Sequence, residues 1–150
     1  MLKVFILDGN ATTRGVLNSV LTTGGHHVIG ESSITHTGIA RMLKLRPQIL
    51  CVDLNQAEGD GMAMLDTIRQ GLPKVMIFLI SSSFDEPSIR AALEHGVKGF
   101  IVKPFNSTRV LAILRSAVLK FIKDQQSSLL GDPEHSSAQQ GVDEVHLEIN

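Results

Sequence analysis

VFILDGN, residues 4–10, joins a short apolar run to one carboxylate, Asp8, and then to Gly9 and Asn10. Three other runs have the same form: ILCV (49–52), VMIFLI (75–80) and GFIV (99–102). Each is short, continuously apolar and rich in β-branched residues, which suits strands of a parallel sheet covered on both faces. HHVIGE (26–31) is more polar and reads as a weaker strand at an edge. Helical patterns separate the runs. Val16, Leu17, Val20 and Leu21 recur at helical spacing and close at Gly24-Gly25; Ile39, Met42 and Leu43 stop before Pro47; Met64, Leu65 and Ile68 end near Gly71. A fourth helix opens at Asp85 with Pro87 in its first turn and ends at His95-Gly96, and a fifth opens at Asn106 and carries Val110, Leu111, Leu114 and Val118. Strict strand–helix alternation predicts one α/β domain, a parallel sheet with right-handed crossovers and helices on both faces.

Composition bounds the function. The chain has 150 residues, 43% of them hydrophobic and 19% charged, as in an ordinary globular domain. No apolar run approaches the ~20 residues of a membrane helix, and no signal-peptide pattern opens the chain, so the expectation is a cytoplasmic protein with no membrane partner. The lone Cys51 lies within an apolar strand and reads as a buried structural thiol. The absence of Trp and Tyr argues against base stacking. Charge is segregated: all 14 Lys and Arg lie at or before Lys123, against nine acids, a net +5, while residues 124–150 carry six acids and no Lys or Arg. That break predicts a folded domain over 1–123 and an acidic, flexible tail over 124–150, in which VHLEI could form one strand. No helix-turn-helix is expected after residue 123, so a nucleic-acid partner is not expected.

In open α/β sheets, ligands sit outside the carboxyl ends of the strands. There the sequence places Asp8, Asp53 (in CVDLNQAEGDG), Ser81 (in LISSS) and Lys103 (in IVKPF). Each alone is unremarkable, because loops often begin with Asp or Ser. Together they suit phosphoryl transfer to a carboxylate: two acids for a hard divalent cation, a lysine and a hydroxyl for the remaining phosphoryl oxygens. Competing chemistries lack their residues. DLNQAEGDG begins like a calcium loop, but Ala57 stands where a third oxygen ligand is needed. There is no P-loop, no G-x-G-x-x-G after the first strand, no zinc spacing among the six histidines and no G-x-S-x-G elbow. A flavin- or nucleotide-binding enzyme on the same architecture therefore finds no phosphate cradle in the first strand–helix loop.

VFILDGN, PQILCVDLNQAEGDGMAMLDTIR, VMIFLISSS and HGVKGFIVKPF together resemble the receiver domain of two-component response regulators, over residues 1–123 and in the manner of a chemotaxis-type single-domain receiver. The resemblance implies a flavodoxin-like three-layer sandwich: a five-stranded parallel sheet of order 2-1-3-4-5 with five helices. It implies a signalling module rather than an enzyme. Asp53 would accept a phosphoryl group from a histidine kinase or phosphotransfer protein, assisted by Ser81 and Lys103. Asp8, Asp53 and the backbone carbonyl of Asn55 would hold Mg²⁺. Phe100 matches an aromatic position that turns inward on activation, and the Lys103–Pro104 bond is commonly cis in such proteins. The output would be a downstream protein bound on the face made by helix 4, strand 5 and helix 5, with the chain a monomer or weak dimer. Two positions depart from the pattern. Gly9 stands where the family usually has a second, metal-contacting acid, and Ala57 stands where a proline is common. Gly9 implies weak Mg²⁺ binding and opens an alternative: a receiver-like module that binds proteins without phosphorylation.

Overall fold

A computed structural model describes residues 2–56 and 59–129. The elements alternate as β1 (Lys3–Leu7), α1 (Ala11–Thr23), β2 (His27–Ser32), α2 (His36–Leu45), β3 (Ile49–Val52), a 3₁₀ turn (Leu54–Gln56), α3 (Gly61–Gly71), β4 (Met76–Ser81), α4 (Glu86–Glu94), β5 (Gly99–Val102) and α5 (Ser107–Leu129). The five strands pair in parallel in the order β2-β1-β3-β4-β5, the flavodoxin-like order the sequence implied. The polar run at 26–31 is the edge strand β2, only half-buried, and its register with β1 shifts between Val4 and Phe5.

The apolar runs are unbroken because the pleat sends alternate residues into two separate cores. Phe5, Leu7, Leu50, Val52, Ile77, Leu79 and Phe100 pack with α2, α3 and α4 through Met42, Leu65, Ile68 and Ala92. Val4, Ile6, Ile49, Cys51, Met76, Phe78, Ile80 and Ile101 face the other way, against Leu17 and Leu21 of α1 and Val110, Ile113 and Leu114 of α5. A strand buried on both faces has no position for a polar side chain until it ends. Cys51 is fully enclosed in the second core, where burial pushes its thiol pKa up to about 12 and leaves it inert.

Short polar side chains start the helices, at Asp85 and Asn106 where the sequence placed them and at three further caps. Asn10, Thr35, Asp60 and Asp85 each accept hydrogen bonds from backbone N–H groups in the first turn, and Asn106 Oδ1 accepts from Arg109 N at 3.0 Å. Arg46 ends α2 in the left-handed region (φ 52°), just before Pro47, whose ring disfavours helical geometry nearby. The charge break at residue 124 does not coincide with the end of α5, which continues to Leu129. A charge boundary and a helix boundary are different things: Gln125 and Gln126 are good helix formers and carry the helix past Asp124. Ala57 and the VHLEI segment lie outside the described residues. Among the described residues, no helix is long and apolar enough to cross a membrane.

Two glycines make the packing testable. A Cβ on Gly15, in the exposed middle of α1, meets nothing within 4 Å, whereas one on Gly38 comes within 2.6 Å of the Ser33 carbonyl oxygen. Gly15→Ala is expected to raise unfolding free energy by about 0.5–1 kcal/mol through helix propensity. Gly38→Ala is expected to lower it. Urea denaturation of the two variants checks both signs.

Candidate functional site at the carboxyl edge of the sheet

The strand ladder carries one residue past each strand and so fixes the rim of the sheet. Asp53 N donates to Leu7 O at 2.9 Å, Asp8 N to Ser32 O at 3.0 Å, and Lys103 N to Ser81 O at 2.8 Å. These bonds put Asp8 and Asp53 side by side, with Ser81 and Lys103 on the adjoining strands. Both acids are almost fully buried, at 1% and 3% exposure, and Ser81 is at 6%. β5 lies two strand spacings, about 10 Å, from β3. The long lysine stem crosses that gap, and Lys103 Nζ sits 2.8 Å from Oδ2 of Asp53 and 2.8 Å from Oδ2 of Asp8. Three of the four residues singled out in the sequence, Asp8, Asp53 and Lys103, therefore meet directly, and Ser81 is joined to them through Asn55.

One ammonium stands between two buried carboxylates that would otherwise repel each other in a poorly solvated site, and offsets one of their two charges. Burial works to lower the Lys103 pKa, but its hydrogen bonds to Asp53 and Asp8 and the charge of both acids outweigh it, and the lysine is held above its ordinary 10.5. Backbone groups hold the outer carboxylate oxygens. Asn10 N donates to Asp8 Oδ1 at 2.9 Å and Asn55 N to Asp53 Oδ1 at 2.9 Å. The Lys103–Pro104 peptide bond is cis, as the family resemblance implied.

Several residues that the sequence reading passed over also shape the site. Thr13 Oγ1 donates to Asp8 Oδ2 at 3.2 Å, and Arg14 Nη1 donates to the Asp8 carbonyl at 2.5 Å while its Nε approaches Glu31 Oε1 at 3.5 Å. The signal for Thr13 was available: Asn10 is an N-cap, and the residue three beyond a cap turns back over it. Nothing in the sequence announces Arg14 or Glu31, because their meeting depends on β2 lying beside β1. The family resemblance implied a role for the Asn55 carbonyl; the contact its side chain makes was not expected: Nδ2 donates to Ser81 Oγ at 2.9 Å. Ser81 Oγ in turn donates to Ser83 O at 2.7 Å. Phe100 is already inward, 2% exposed and edge-on to Phe84 at 5.1 Å between ring centroids.

The two carboxylates that meet here supply hard oxygens, the chemistry Mg²⁺ prefers, and Mg²⁺ commonly takes only one or two carboxylates. The residues fit such an ion with few acids: Gly9 supplies no side-chain oxygen, and no cluster of three His, Cys, Asp or Glu forms among the described residues.

A doubly covered parallel sheet with an acidic, lysine-bridged pocket at its carboxyl edge defines a class of phosphate-handling signalling domain. Residues 4–115 match the response regulator receiver domain family, and the chain belongs to that family. It is 30% identical over 112 residues to the chemotaxis protein CheY of Thermotoga maritima, covering 75% of this chain and 93% of that protein. It is 25% identical to the response regulator protein VraR of Staphylococcus aureus, over 76% of this chain but 55% of that protein. Among solved structures, the chemotaxis response regulator CheY4 of Vibrio cholerae superposes with a TM-score of 0.69 at 21% identity, covering 78% of this chain and 98% of that one. The isolated receiver domain of RcsB from Salmonella enterica, solved with the phosphomimetic BeF₃⁻, gives 0.68 at 22% identity, covering 79% and 88%. Receiver domains are signalling modules, and they generally bind Mg²⁺ at the phosphorylation site.

The raised lysine pKa fixes the sign of a stability effect. The folded state favours protonated Lys103, so its contribution is complete below pH 10.5 and disappears as pH rises through the higher folded value. Lys103→Met is expected to lose about 1–3 kcal/mol at pH 7, because two buried acids are left without their cation. The gap to wild type should close at strongly alkaline pH, and Mg²⁺ should restore part of the loss at pH 7. Urea unfolding at several pH values, with and without Mg²⁺, measures all three.

Proposed function

We propose that this chain accepts a phosphoryl group on Asp53 from a histidine kinase or a phosphotransfer protein and thereby alters a protein-binding face. The observation that carries the reading is the convergence of Asp8, Asp53 and Lys103 within 2.8 Å contacts at the carboxyl edge of the sheet. In the transfer, an Asp53 carboxylate oxygen forms a P–O bond as the P–N bond of the phosphohistidine donor breaks, and the released imidazole takes up a proton. Lys103 is placed to follow the new negative charge from the carboxylates to a phosphoryl oxygen. Ser81 Oγ donates to Ser83 O before transfer, so its hydroxyl must turn away from that carbonyl to reach the phosphoryl group. Asp8, Asp53 and the Asn55 carbonyl would hold Mg²⁺, which, when bound, neutralises charge on the transferred oxygens. Phe100 and the face of α4, β5 and α5 would carry the change to a downstream protein, with no nucleic acid and no membrane involved and the chain acting in the cytoplasm as a monomer or weak dimer.

A second reading has its own observation. Gly9 removes one ligand, and Lys103 already satisfies both remaining acids without a metal. The chain would then be a protein-interaction module that keeps the fold and does without phosphorylation.

Labelling separates the two. Incubation with acetyl phosphate or phosphoramidate and Mg²⁺, followed by intact mass, is expected to show one added phosphoryl group on wild type and none on Asp53→Asn. Label that persists on Asp53→Asn moves the acceptor elsewhere, and no label on wild type favours the interaction module. Gly9→Asp is expected to tighten Mg²⁺ binding about tenfold or more, since it adds a charged oxygen ligand. Equal titration curves for Gly9→Asp and wild type would show that residue 9 does not limit metal binding.

A further inference from the structure

In a parallel α/β layer, helices run back against the strands, so strand starts and helix ends share one edge, opposite the site. That edge is basic. Lys3, Lys74 and Lys98 stand at or just before strand starts, and Lys44, Arg46 and Arg69 stand at helix ends. Lys120 and Lys123, late in α5, join them, and the acids at this end are Asp66, Glu94 and Asp124. Asp66 is engaged by His95 at 2.7 Å. Lys3, Lys44, Arg46, Lys74 and Lys98 are exposed and have no acidic partner within 4 Å among the described residues. The crowding is felt at Lys98, whose pKa is lowered by burial and by the charges of Arg69 and Lys120, against the opposing pull of Asp124. The opposite edge carries Asp8, Glu31, Asp53, Asp60, Asp85 and Glu86 against Arg14, Lys103 and Arg109. The folded domain is therefore polarised, positive at the strand starts and negative at the site.

The chain supplies its own counter-charge. Residues 130–150 contain Asp132, Glu134, Asp143, Glu144 and Glu148 and no Lys or Arg. They follow α5, whose last turns lie at the basic edge. Five strands span about 20 Å, and 21 residues can extend about 70 Å, so the segment can cross the whole edge. Tethering makes the encounter intramolecular, at an effective concentration in the millimolar range. Repulsion by the acidic site edge selects the basic one.

We propose that the acidic segment 130–150 docks on the basic, strand-start edge of its own domain. It meets Lys3, Lys44, Arg46, Lys74 and Lys98, and leaves the phosphoryl-accepting edge uncovered. The interaction is one of complementary charge between exposed groups, so salt weakens it.

A spin label on the full chain tests this. Ser137→Cys provides the attachment point, since buried Cys51 is unreactive. At about 0.01 M salt, where the Debye length is about 30 Å, the amides of Lys3, Arg46 and Lys74 are expected to be broadened; at about 1 M, where it is about 3 Å, their intensity should at least double. Lys44→Glu/Lys74→Glu in the same chain should produce the same recovery at low salt. A merely tethered segment would broaden residues near the end of α5 equally at both salt concentrations, which would overturn the proposal. Broadening that fades on dilution would assign the edge to a second copy's segment and overturn it too.

Discussion

One ammonium between two buried carboxylates sets the terms for the rest of this molecule. Asp8 and Asp53 are placed side by side by ladder bonds that neither side chain can refuse, and both are out of water. Two such charges are tolerable only with a cation between them, and Lys103 provides it. Under the proposed function, a phosphoryl group or a divalent ion at this site would change the charge balance that fixes the lysine, and both β3 and β5 would feel it.

The neighbouring hydroxyl is held in a different way. Ser81 accepts from the Asn55 amide and donates to Ser83 O, so its position is shared between the loops after β3 and β4. Phe100 lies next along the sheet, on β5, packed on Phe84 from the loop after β4. The rim next to the acids thus holds short polar contacts, and the aromatic pair beyond it depends on shape. Polar contacts of this kind are individually worth about 1 kcal/mol.

The two ends of the sheet divide the work by charge. Helix starts bring their acidic and amide caps to the carboxyl edge, and helix ends and strand starts bring lysines and arginines to the other. Helix dipoles favour the same arrangement, with negative groups at helix starts and positive groups at helix ends. Among Asp, Glu, Lys and Arg, residues 130–150 carry only acids. The acidic segment and the basic edge are complementary parts of one charge distribution.

The sequence by itself determined the architecture. Four unbroken apolar runs, too short for helices and rich in β-branched residues, read as doubly covered strands, and the helix starts at Asp85 and Asn106 followed from their capping chemistry. It also marked Asp8, Asp53, Ser81 and Lys103, because a buried strand can change to a polar residue only at its tip. Tertiary structure alone decided the rest. That Lys103 bridges both acids, that Arg14 reaches Glu31, and that Asn55 holds Ser81 are contacts between residues 50, 17 and 26 positions apart or more, formed only when strand order brings their loops together. The basic edge was hidden for the same reason. Its lysines and arginines are scattered along the chain from Lys3 to Lys123, and only the antiparallel return of each helix gathers them at one end.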